Sequence, residues 1–132
     1  MASITKHLDL DVDAATAWGA IRDFTSPHVP FAGVLSDSKM DGDDRVVTFV
    51  SGAVIRERLV DLDDDTRRIA YTVVDGPFTH HHAAISVRPG SGGGSRVEWT
   101  SDVLPHDVAA RVSDLMDQGL RALAVNVGGK AA

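Results

Sequence analysis

The sequence predicts an α+β protein in which a curved antiparallel sheet of about seven strands wraps around one long C-terminal helix. Three observations carry this expectation. The run from Pro105 to Val127 repeats apolar residues at helical spacing, and six segments between Gly33 and Val103 read as strands joined by turns short enough to be hairpins. The chain also opens on a strand whose period changes from two to 3.6 at Asp13. Short turns force antiparallel neighbours, and a long apolar helix face needs a partner of matching length. The expected order is β-α-(α)-β6-α, in a single domain over residues 1–132.

Ser3 to Val12 alternates, with Ile4, Lys6, Leu8 and Leu10 on one face and Thr5, His7, Asp9 and Asp11 on the other. Asp13 suits a helix N-cap, and Ala14, Ala17, Trp18 and Ile21 follow at helical spacing, with the helix ending near Phe24. Pro27 and Pro30 make His28 to Phe31 either a loop or a short second helix. The strands then run over Gly33–Asp41, Arg45–Ser51, Val54–Leu62, Arg67–Val74, Phe78–Arg88 and Arg96–Val103. Between them stand Asp41-Gly42-Asp43, Ser51-Gly52, Asp63-Asp64-Asp65, Asp75-Gly76-Pro77 and the glycines from Gly90 to Gly94.

The last helix, about 34 Å long at ~1.5 Å per residue, presents Val108, Val112, Leu115, Met116, Leu120, Leu123 and Val127 on one broad face. Asp107 and Asp117 stand four residues ahead of Arg111 and Arg121, the favourable order, and Gly128-Gly129 supplies the stop. Gly119 interrupts the buried face, where glycine costs about 1 kcal/mol relative to alanine. Something there needs room.

A chain of 132 residues and 43% hydrophobic content fits one globular domain. The absence of cysteine excludes disulfides, thiol catalysis and zinc sites built on Cys, and fits a reducing cytoplasm. No run approaches the ~18 apolar residues of a membrane span, and the first ten residues lack a signal-peptide core. A net charge of -6 argues against a nucleic-acid groove. The acidic cluster Asp61, Asp63, Asp64 and Asp65 lacks the glycine and closing glutamate of a calcium loop, and reads as a solvated turn.

Centring the hairpins on Asp64, Gly76 and the glycine run sets Glu57 opposite Tyr71, Tyr71 opposite His81, and His81 near Ser101; it also sets Leu59 opposite Ile69, Ile69 opposite Ala83, and Ala83 near Trp99. Glu57, Tyr71 and His81 share strand parity with Ile55, Leu59, Ile69, Val73, Ile85 and Val97, so all are expected to point toward the helix, while Arg56, Arg58, Arg68, His80, His82 and Glu98 face outward. A buried carboxylate is costly unless hydrogen-bonded or wet. Two readings follow: a structural network in which Glu57 accepts from Tyr71 and His81, or a site in which Glu57 and His81 exchange protons while Tyr71 positions a carbonyl or hydroxyl. His80-His81-His82 cannot converge on one ion, because successive strand side chains alternate faces, and no metal site is expected. Trp18 and Trp99 serve as core or as ligand platform, and His28 and Phe31 are candidates for a pocket lid.

Four motifs in order, Asp11 to Trp18 leading to Asp23-Phe24, Gly52 to Leu59, Tyr71 to Pro77, and Arg96 to Thr100, resemble the START-like superfamily, the helix-grip fold of the birch-pollen allergen. The likeness covers nearly the whole chain and is greatest to the bacterial polyketide cyclase/dehydrase and lipid-transport branch; Ala14-Ala15 stands where that branch often has a proline. The resemblance implies an elongated cavity between sheet and C-terminal helix that takes a small hydrophobic or aromatic molecule, lipid- or polyketide-like, with no cofactor. It further implies either a binding or carrier protein or a cyclase/dehydratase-type enzyme using Glu57, Tyr71 and His81. A fold alone does not decide between them. Phe49, Trp99 and Ser101 on the sheet, with Met116, Gly119, Leu120 and Leu123 on the helix, are expected to line the cavity beside Trp18, His28 and Phe31. A monomer or homodimer in the cytoplasm is expected.

Overall fold

The computed structural model describes residues 2–128. Strand β1 (Ala2–Leu10) is followed by helix α1 (Ala14–Ile21), six further strands and the long helix α2. The strands are β2 (Leu35–Asp41), β3 (Asp44–Phe49), β4 (Val54–Asp63), β5 (Arg68–Val73), β6 (His80–Pro89) and β7 (Ser95–Leu104), and α2 spans Ala109–Val127 behind a 3₁₀ turn over His106–Val108. They form one seven-stranded antiparallel sheet in the order β1-β7-β6-β5-β4-β3-β2. The meander from β2 to β7 closes on β1, which pairs along its whole length with β7 from Ala2–Val103 to Leu10–Ser95. This is the helix-grip arrangement.

Local chemistry explains the ends of the elements. Asp13 caps α1 by accepting from the Thr16 backbone N–H at 2.8 Å. The helix stops at Ile21, earlier than Phe24. Residues 22–34 form successive turns and not a second helix, since Pro27 and Pro30 lack the N–H that a helix would use. At its far end α2 finishes on Gly128 in the left-handed conformation, φ 84°, with its N–H returned to the Ala124 carbonyl. Gly129, the other half of the expected stop, lies outside the described residues.

Helix α2 buries Val112, Met116, Gly119, Leu120 and Leu123. Lys6 of β1 donates to Asp117 at 2.7 Å and ties the helix edge to the first strand. The core has two parts. One gathers Leu10, Trp18, Ile21, Ile85, Val97, Leu120 and Leu123 around α1 and the C-terminal half of α2; the other gathers Val103, Val112 and Met116 around its N-terminal half, and Trp99 packs against both. Among the described residues no helix is long and apolar enough to cross a membrane.

Two expectations about the turns need correction. Asp64 is not merely a solvated turn residue: it accepts from the Trp18 indole N–H at 2.8 Å and from Arg22 at 2.8 and 3.1 Å, pinning α1 to the β4–β5 turn. Leu59 does not pair with Ile69. A bulge at Val60 shifts the register, so Leu62 stands opposite Ile69 and packs on the core while Leu59 is 37% exposed.

Candidate functional site

Between the sheet and the N-terminal half of α2 lies a cavity of about 110 Å³. The inner faces of β3 to β7 supply Val47, Phe49, Ile55, Glu57, Tyr71, Val73, His81, Trp99 and Ser101 to its wall. The turns after α1 contribute Pro27, Phe31, Val34 and Leu35, and α2 contributes Val112, Leu115, Met116 and Gly119. Most of this surface is apolar. The polar groups are confined to the sheet.

Glu57, Tyr71, His81 and Ser101 all face this cavity, but not in the predicted row. Glu57 pairs with Val73, Tyr71 stands between Leu59 and Ala83, and Ala83 stands opposite Ser101. His81 lies opposite Val103, and Ile85 takes the place beside Trp99. At these residues each of the three hairpins from β4 to β7 is offset by two from the sequence-based register. An offset of two keeps Glu57, Tyr71, His81 and Ser101 on their expected face and changes only their neighbours.

The principal partner of Glu57 is therefore neither Tyr71 nor His81 but Arg45. The Arg45 Nε donates to Glu57 Oε1 at 2.8 Å, and the two side chains are only 9% and 13% exposed. Arg45 also donates from Nη1 to the Phe24 carbonyl at 3.1 Å, and its guanidinium lies 4.2 Å from the centre of the Phe24 ring and 5.1 Å from that of Tyr71. Sequence reasoning missed Arg45, although the signal was available: it shares parity with Val47 and Phe49 on β3, and stands opposite Glu57.

His81 is held as a neutral acceptor. The Val73 backbone N–H donates to its Nδ1 at 3.1 Å, which places the ring proton on Nε2. Desolvation, with His82 and His80 as additional charges, pushes its pKa down to about 4. Its ring stacks edge-on against Phe78 at 4.9 Å and tilts toward Tyr71 at 6.0 Å. His82 lies on the opposite face of the sheet beside Glu98 and Asp102. Burial, and next the nearby Glu57 charge, pushes the Tyr71 hydroxyl well above the usual tyrosine range, so it stays protonated. The Trp99 indole N–H offsets this in part, lying near the hydroxyl without completing a hydrogen bond of normal geometry, so that this buried donor has no partner among the described residues.

The remaining candidates divide. Phe31, Phe49, Trp99, Met116 and Gly119 line the cavity. Trp18, Leu120 and Leu123 do not; they are packed in the core around α1. His28 is also off the wall, its Nδ1 buried without a partner among the described residues. Gly119 leaves room chiefly for the sheet and not for a ligand, because a Cβ there would meet Cζ3 of Trp99 at 2.8 Å and Cε1 of Phe31 at 3.5 Å. The Phe31 and Trp99 rings pack together at 5.7 Å and seat the turn segment over the cavity. Asn126 of α2 fastens that segment from outside, donating to the carbonyls of Pro30 and Ala32, both at 2.9 Å.

This fold and cavity are those of ligand-binding helix-grip proteins. The chain belongs to the polyketide cyclase/dehydrase and lipid transport family, whose model matches residues 1–128. Among solved structures it is similar to the protein XoxI from Bacillus cereus, at 26% identity and a TM-score of 0.82, with 97% of each chain covered. A protein from Thermobifida fusca is 27% identical with a TM-score of 0.75, covering 97% of this chain and 94% of that one. Norcoclaurine synthase from Thalictrum flavum, a point mutant bound to a transition-state analogue, shares the fold at 20% identity and a TM-score of 0.71, over 95% of this chain and 90% of that one. No curated protein gives a significant match.

Proposed function

We propose that this protein binds a small hydrophobic or aromatic molecule between the sheet and α2, and acts as a binding or carrier protein. The observation that carries the reading is the half-open cavity of about 110 Å³ between sheet and α2, apolar over most of its wall and polar on one side. A concave, mostly apolar pocket with a few converging polar groups is the usual form of a small-molecule site. This cavity is somewhat smaller than the ~150 Å³ apolar cavity known to take benzene. That size favours a molecule of one small ring over a long acyl chain. The cysteine-free chain fits a cytoplasmic protein, acting as a monomer or homodimer.

Proton transfer among Glu57, Tyr71 and His81 has less behind it. Glu57 is engaged by Arg45, and the Nδ1 of His81 by backbone. Native mass spectrometry of the protein taken from its own host tests the binding reading, alongside NMR titration with single-ring compounds. A co-purifying small molecule, with shifts at Phe31, Trp99 and Met116, is the expected result. A ligand-free protein whose spectrum no ring compound perturbs would overturn it.

A further inference from the structure

Resting on the binding reading, we infer that the ligand is an uncharged ring carrying a hydrogen-bond acceptor oxygen, and that Glu57 is the residue that turns away anions. A buried arginine in a cavity would ordinarily mark a site for carboxylates. Here its charge is already matched. Glu57 sits 2.8 Å from the Arg45 Nε, both side chains are largely buried, and both line the cavity. A second carboxylate would be stripped of water and would face Glu57 as well as Arg45, leaving a net negative charge among apolar walls. Among the groups that line the cavity no other charged side chain is present to offset it.

The same wall has donors to spare. Of the five N–H groups of a guanidinium, Arg45 directs one to Glu57 and one to the Phe24 carbonyl, and the others have no partner among the described residues. The Trp99 indole N–H is buried and unpaired, and His81 carries its proton on Nε2 because Nδ1 accepts from Val73. A buried donor such as that of Trp99 is costly to leave unpaired, and a ketone or similar neutral acceptor would relieve that cost without bringing charge. The apolar remainder of the wall, with Val47, Phe49 and Met116, suits the ring.

Three probes of similar size test this: cumene, acetophenone and benzoate, at neutral pH, titrated by NMR or calorimetry into the full chain. The wild type should bind cumene and acetophenone, and benzoate at least tenfold more weakly than acetophenone. Glu57→Gln, nearly isosteric, should raise the benzoate-to-cumene affinity ratio at least tenfold. Replacing both charges, Arg45→Met with Glu57→Leu, should lower the acetophenone-to-cumene ratio about fivefold. Benzoate binding as tightly as acetophenone to the wild type, or unmoved ratios in the variants, would overturn the inference while leaving the cavity reading in place. If no probe binds the wild type at all, the binding reading fails first.

Discussion

Protonating His81 should cost the fold about 3 kcal/mol. Its folded pKa is about 4, lowered first by desolvation, against 6.5 in the unfolded chain. Between those values the unfolded chain binds a proton that the folded one does not, so stability rises with pH. The penalty is absent above about pH 6.5, grows as pH falls, and is complete below about pH 4. At about 1.4 kcal/mol per pH unit, the gap between about 4 and 6.5 gives the 3 kcal/mol figure. The assay is urea unfolding at steps from pH 7.5 to pH 4, with His81→Gln as the comparison. Glutamine keeps an acceptor for the Val73 N–H but does not titrate. The wild-type midpoint should drop relative to the variant by about 1 to 3 M urea over that range, taking an m-value of about 1 to 3 kcal/mol per molar. Asp13, Asp23, Asp44 and Asp64, whose pKa values lie below the ordinary 3.8, lose their stabilisation at lower pH and do so in both proteins. Parallel midpoints for the two proteins, or an NMR titration of His81 near 6.5, would refute the argument.

Three further outcomes follow from the packing. Arg45→Met strands the Glu57 carboxylate and should cost about 3 to 5 kcal/mol in urea unfolding, most of it recovered in Arg45→Met/Glu57→Leu; additive losses would show that the two groups are not coupled. Gly119→Ala places a methyl 2.8 Å from Cζ3 of Trp99, so it should cost about 1 to 3 kcal/mol and shift tryptophan emission, and wild-type stability with an unchanged spectrum would mean the ring yields freely. Asn126→Ala removes the two hydrogen bonds to Pro30 and Ala32, and should speed amide exchange at Phe31, Val34 and Leu35 about tenfold, at roughly 0.5 to 1.5 kcal/mol per bond; unchanged exchange would assign the anchoring to Phe31 alone.

The architecture was legible because it depends on period and turn length. Apolar recurrence from Val112 to Leu123 and alternation along β1 survive any error of a residue or two at an element's end. The inward faces were legible for a related reason. Moving the centre of a hairpin by one residue moves each cross-strand pair by two, as happened between β5 and β6 and between β6 and β7. The β4–β5 hairpin reached the same result by a different route. Its closing pair, Asp63 with Arg68, departs by an odd number of positions from a hairpin centred on Asp64, and the bulge at Val60 restores an even offset for Glu57 and Tyr71.

What could not be read from the chain is which polar groups touch, since that depends on turn conformation to the residue. Arg67, the non-glycine residue with positive φ in the described chain, at 50°, sits in the turn that decides where Glu57 falls. The two-residue offset there put Val73, not Tyr71, beside Glu57, and left the carboxylate to Arg45 on its other flank. Parity alone would have placed Arg45 inside had it been applied to β3, where Val47 and Phe49 already pointed inward. The volume of the cavity has no such signature. It is the small difference between the space under the sheet and the side chains that fill it, among them Trp99, packed close against Gly119 of the facing helix. Charge balance in the site follows from the same contacts: an inward glutamate read alone suggests a base, whereas the glutamate read with Arg45 opposite it describes a wall without net charge, and that difference alters which ligands the cavity can accept.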